Sequence, residues 1–138
     1  MSRRVAREIL FKLVFENCFH DDEDFITYKT YLENDGESFD PDFLNQNLDE
    51  ENKSFVKENL IGIIEHRQEL LDSISEKLVD YSIERLFKID LAILLVALYE
   101  IKYTETSKEI VINEAVEIAK KYSTDKSYSF INGVLAKF

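Results

Sequence analysis

The 138-residue sequence predicts an all-α protein of a single domain spanning residues 1–138, and three observations carry that prediction. Glycine and proline together number four, far below their usual share of roughly 12%, and few turn formers favour long helices over many short strands. Leu, Ile, Glu and Lys are abundant, and apolar residues recur at helical spacing along much of the chain. A chain of this length buries roughly 68% of the surface its unfolded form exposes, enough for one real core.

About seven helices are expected. From Arg3 to Cys18 the residues Ala6, Ile9, Leu10, Leu13 and Val14 share one face; Arg4, Arg7, Glu8, Phe11, Lys12 and Phe15 take the other, with Arg3 at the border. That arrangement leaves two phenylalanines among charges. Residues 20–51 are acidic and carry Gly36 and Pro41, which predicts a weak helix over 24–32 and then a loop, laid over the body by interleaved aromatics. Phe55, Val56, Leu60, Ile63 and Ile64 form the next apolar stripe. Leu70, Leu71, Ile74 and Leu78 continue it after a break at 65–67, as two helices or one long kinked one.

Ser82 is placed to cap a helix running to about Tyr103. Residues 91–99 of that helix are apolar all round, which puts it at the centre with others packed about it. A sixth helix is expected over 108–122 and a seventh from 125 to the end. Gly133 inside the last one costs about 0.5–1 kcal/mol relative to Ala, a cost that close approach of another helix would explain.

The net charge of −11 argues against a nucleic-acid partner until it is located. Residues 21–51 hold twelve acids and one base, while the rest of the chain balances 16 of each. The acidity is regional, and surfaces elsewhere are free to be basic. A single Cys18 gives no internal disulfide, and no secretory signal follows the charged start, so a cytoplasmic protein is expected. The longest apolar run has nine residues, about half of the roughly 20 that span a bilayer, so no membrane role is expected.

Catalytic and metal chemistry find little support. Cys18, His20, Asp21 and Asp22 are ligand types, but they lack the spaced pairs of a structural zinc site. The calcium-loop template around Gly36 fails at its anchors, Tyr31 and Asp42. No nucleophile elbow or glycine-rich phosphate loop is present. Glu114 and Glu117, at i, i+3, read as a solvated helix face. The expectation is a protein without catalytic residues, metal or cofactor. Basic residues instead gather at two ends: Arg3, Arg4, Arg7 and Lys12, and then Lys120, Lys121, Lys126 and Lys137. If the first helix and the joint after Tyr122 lie side by side, they form one basic strip with Phe11, Tyr122 and Tyr128 in or near it. Such interleaving suits single-stranded RNA, because bases stack on aromatic faces while cations hold phosphates.

Two blocks near the end carry a resemblance: Ile112-Asn113-Glu114-Ala115-Val116-Glu117-Ile118-Ala119-Lys120, and Phe130-Ile131-Asn132-Gly133-Val134-Leu135, separated by Ser123-Thr124-Asp125. Together they resemble the closing signature of the NusB transcription antitermination family. The opening Arg3-Arg4-Val5-Ala6-Arg7-Glu8, the glycine motif Leu60-Ile61-Gly62-Ile63 and the segment from Tyr81 through Tyr99-Glu100 are similar to the family as well. The resemblance implies a small all-helical fold of two packed bundles. It also implies a factor that pairs with the ribosomal protein NusE, recognises boxA RNA and joins the antitermination complex of RNA polymerase on ribosomal RNA operons.

Carried over by position, Arg3, Arg4, Arg7, Tyr122, Lys126 and Phe130 are the implied RNA-binding residues. Phe15, Glu84 and Asp90 are the implied NusE-facing ones, an exposed aromatic beside carboxylates suited to a basic partner. Ser107 departs from the family, standing where many members have a proline, which would loosen the start of the sixth helix. A methyltransferase reading, suggested by related domains, would need a Rossmann-like domain for which no residues remain. A helical protein-binding adapter without RNA contact is the alternative.

Overall fold

Six α-helices and one 3-10 turn build the described part of the chain, and a helix made almost entirely of apolar residues explains how they are arranged. A computed structural model describes residues 3–18, 48–79 and 82–138, and the side chains of 3–16 in the first of these segments. The helix expected over 24–32 and the loop through Gly36 and Pro41 lie outside the described residues. So do the side chains of the Cys18 to Asp22 run.

Helix α1 spans Arg3–Cys18, α2 Glu50–Glu65, α3 Arg67–Lys77, α4 Lys88–Tyr103, α5 Lys108–Tyr122 and α6 Ser127–Leu135. Asp49 starts α2 by accepting the Asn52 N–H at 2.8 Å, and Glu50 and Glu51 in the first turn favour the positive end of the helix dipole. The break expected at 65–67 falls at His66, whose φ of −104° and ψ of 14° end α2 and begin α3. Ser107 starts α5 by accepting the Ile110 N–H at 3.4 Å, so the serine caps the helix where a loose start was expected.

Ser82 does not cap the long helix. It precedes a 3-10 turn, Ile83–Arg85, without a side-chain bond, and α4 begins only at Lys88 after Phe87. In α4, Leu91 through Leu98 are all buried, and Ile93, Leu94, Leu95 and Leu98 are among the largest fully buried side chains. This helix packs against each of the other five: α1, α2 and α3 form one group on it, α5 and α6 the other. The two-bundle expectation is met by sharing one central helix. Leu10 and Leu13 of α1, Leu60 of α2, Leu70 and Ile74 of α3, and Ile131 and Leu135 of α6 complete the core.

The close approach that requires a glycine occurs at Gly62, under the Tyr99 side chain, not at Gly133. A Cβ on Gly62 would run into the phenol ring of Tyr99, whereas one on Gly133 would meet nothing within 4 Å. Gly133 is exposed on α6, and among the described residues no helix crosses it. Among the described residues no helix is long and apolar enough to cross a membrane, and no group of three or more His, Cys, Asp or Glu residues is placed to hold a metal ion.

Candidate nucleic-acid interface

The two basic ends of the sequence meet along a seam between α1 and the C-terminal half of α5. Lys121 donates to Glu8 Oε1 at 2.8 Å, and the Tyr122 hydroxyl donates to the same oxygen. One helical turn earlier, Arg4 forks onto Glu114, with Nε and a terminal nitrogen at 3.0 and 3.1 Å from its two oxygens. The Tyr122 ring lies 5.4 Å from that of Phe11, with the ammonium groups of Lys12 at 5.5 Å and Lys121 at 5.3 Å from its centre. Past the joint, Lys120 sits 5.4 Å from the Tyr128 ring. A groove of about 360 Å³ runs between Arg4, Glu8, Glu114, Lys120 and Lys121.

Electrostatics along the seam follow from these pairs. Partial burial pushes the Glu8 carboxyl up, but the bonds from Lys121 and Tyr122 together with the Lys121 and Lys12 charges outweigh it and hold the group below its ordinary value. The bond to Glu8, reinforced by that carboxylate's charge, pushes Lys121 up. Glu114 does the same to Arg4, through the hydrogen bonds first and then its charge.

The implied RNA-binding residues do not all lie on this seam. Arg3 faces α2: its Nε donates to Asn52 Oδ1 at 2.7 Å, a terminal nitrogen reaches Glu51 at 3.5 Å, and the guanidinium lies 4.3 Å from the centre of the Phe55 ring. Arg7 is not a surface residue. It is only 7% exposed and forks onto Glu100 of α4 at 2.9 and 2.6 Å. A carboxylate on a helix buried all round needs a charged, bidentate partner, and Arg7 supplies it. Phe11, expected among charges, is 2% exposed, because α1 is covered over more of its circumference than its single apolar stripe predicts.

Lys126 and Phe130 belong to a second recess of about 540 Å³, together with Arg85, Leu86, Phe87 and Asp90. Phe87 on this recess is 61% exposed. Of the three implied partner-facing residues, Glu84 is exposed and Phe15 is half-buried against the core, its ring 6.2 Å from Phe11. Asp90 is only 4% exposed and accepts from Ser123 at 2.6 Å and Ser127 at 3.0 Å. Its carboxylate fastens the α5–α6 joint to the start of α4, so it does not offer a free charge to a partner.

Sequence reasoning gave Glu8 and Glu100 no role and read Glu114 as part of a solvated face, whereas its side chain is 16% exposed and holds Arg4. One signal was present: Glu8 lies four residues after Arg4 and four before Lys12, and a carboxylate interleaved among cations on one helix face is set to pair with them. Glu100 carried another, being a charge on the flank of a nine-residue apolar run.

Comparison with known proteins gives one answer. The NusB family profile matches residues 4–138. A transcription antitermination protein NusB from Agathobacter rectalis is 41% identical, covering 100% of this chain and 99% of its own. T. maritima NusB superposes with a TM-score of 0.78 at 30% identity, covering 99% of this chain and 89% of that one. A chain from the crystal structure of a plectonemic RNA supercoil superposes at 0.79, covering 98% of this chain and 91% of its own; at 20% identity it shows a shared fold.

Proposed function

The chain belongs to the NusB family, and from that premise we propose that it is a transcription antitermination factor that binds single-stranded, boxA-type RNA together with the ribosomal protein NusE. One observation carries the RNA reading: Tyr122 is flanked by ammonium groups from two different helices, Lys12 and Lys121, beside a second cation–ring pair, Lys120 and Tyr128. Cations that converge on aromatic rings offer one nucleotide both a phosphate contact and a stacking face. Arg4 extends the phosphate track along α1, while Arg3, turned toward α2, stands off it. Arg7 is removed from the RNA-binding set, since its charge is spent on Glu100.

Lys126 and Phe130 continue the path into the recess beside Phe87, where a flipped-out base or a partner side chain would meet an apolar wall. NusE would approach from the exposed Glu84 side, where that carboxylate would meet a basic ribosomal protein. RNA polymerase would then meet the assembled complex.

Filter binding of boxA RNA with and without NusE tests the proposal. Affinity is expected to rise when NusE is added and to exceed that for a scrambled RNA. The logarithm of affinity should fall with log salt by about 0.7 per phosphate neutralised. No gain from NusE together with no boxA preference would overturn the reading and favour a protein-binding adapter.

A further inference from the structure

Two cations of the seam, Arg4 and Lys121, are already paired with carboxylates that sit deeper than they do, whereas Lys120 and Glu117 are equally exposed at 52% and 51%. Arg4 has a side chain 64% exposed, its partner Glu114 one of 16%. Lys121 is 61% exposed and Glu8 22%. In these two pairs the cation is the outer, movable member and the carboxylate the inner, fixed one. The buried Arg7–Glu100 pair lacks this asymmetry, at 9% and 1%.

We propose that Glu114 and Glu8 are built-in competitors of the RNA phosphates, and that they set the affinity and selectivity of the strip. The inference rests on the RNA-binding reading above. A guanidinium fork fits a phosphate as well as a carboxylate, so Arg4 can swing outward while Glu114 stays in the groove. Lys121 can leave Glu8 in the same way. Every phosphate contact then replaces an internal ion pair, so an isolated anion gains little by binding. A strand that meets Arg4 and Lys121 at once, and stacks a base near Tyr122, recovers the loss through several contacts made together. The carboxylates therefore select a polyanion with accessible bases over single phosphates.

The experiment uses the full chain and a single-stranded boxA-type RNA oligonucleotide, with filter binding across about 50 to 200 mM salt. Glu114→Gln keeps the shape and removes the charge. It should raise RNA affinity about two- to fivefold, the range of an exposed ion pair, and steepen the salt dependence by up to about 0.7. Glu76→Gln on α3 changes the net charge equally, far from any seam contact, and should change affinity less than twofold. Adding Arg4→Ala to Glu114→Gln should erase the gain, which shows that it runs through Arg4. Inorganic phosphate should compete poorly against RNA for the unmodified chain and better for Glu114→Gln. If the unmodified chain binds RNA but Glu114→Gln matches Glu76→Gln, the competitor role is overturned and the RNA reading stands. If neither the unmodified chain nor Glu114→Gln binds RNA, even with NusE added, both are overturned.

Discussion

Arg4 and Arg7 stand three residues apart on α1, and each places two nitrogens on a glutamate, yet they sit in opposite surroundings. Arg7 meets Glu100 inside the contact between α1 and α4, with both side chains at least nine-tenths hidden from water. Arg4 meets Glu114 at the rim of a groove, with its own side chain two-thirds exposed. The chemistry is the same and the consequence is not. In low dielectric each charge needs the other to remain folded, because a lone buried ion is expensive. In water the attraction is worth little, and the cation is free to find another anion. Location on one helix decides whether an arginine serves the fold or a ligand.

The largest expected effect separates the pairs on stability. Glu100→Ala leaves Arg7 charged and unpaired, and should cost about 3–5 kcal/mol in urea unfolding. Replacing both members, Arg7→Met with Glu100→Leu, should recover most of that loss. A recovery would locate the penalty in the orphaned charge; equal loss in both variants would break the comparison.

Next in size are the glycines, which show the same contrast between an inward and an outward position. Gly62→Ala pushes a methyl into the Tyr99 ring and should cost about 1–3 kcal/mol, the usual range for overpacking. Gly133→Ala meets open space and should stabilise by about 0.5–1 kcal/mol through helix propensity. Thermal melts of the two variants should move in opposite directions.

Arg4→Ala is expected to change stability by less than about 1 kcal/mol while flattening the salt dependence of RNA binding by about 0.7. A large loss of stability would make Arg4 another structural arginine.

The smallest effect is on pH. Because the folded protein holds the Glu8 carboxyl below its ordinary value of 4.5, its contribution to stability is complete above the ordinary carboxylate range. That contribution is lost as pH falls through the lowered folded-state value. Glu8→Gln should flatten the acid side of the stability curve between about pH 5 and pH 3, measured by urea midpoints. An unchanged acid limb would show that the Lys121 and Tyr122 bonds contribute nothing to folding.

Most helices could be read from spacing alone. The α5 limits were expected at 108 and 122, and the structure has them there; the central place of α4 followed from a run with no polar face. The start of α4 was misread, because Ser82 looks like a cap but the chain makes a 3-10 turn before Lys88. Local pattern cannot weigh that turn against an extra turn and a half of α-helix. Arg7 and Asp90 are buried and paired inside the fold, not exposed as the sequence suggested, for a related reason. A charge reads as exposed until its partner is known, and those partners lie 93, 33 and 37 residues away in the chain. The adjacency of the two basic ends was an open condition in the sequence, and Lys12 and Lys121 on either side of Tyr122 satisfy it.

The bonds from Ser123 and Ser127 to Asp90 act as a rivet. They clamp the wall that carries Lys126 and Phe130 to the first turn of α4, so the two sides of the recess are joined by the protein's own hydrogen bonds. A molecule settling there meets a mould already set and surrenders little conformational freedom of the host, which leaves more of its contact energy for holding on.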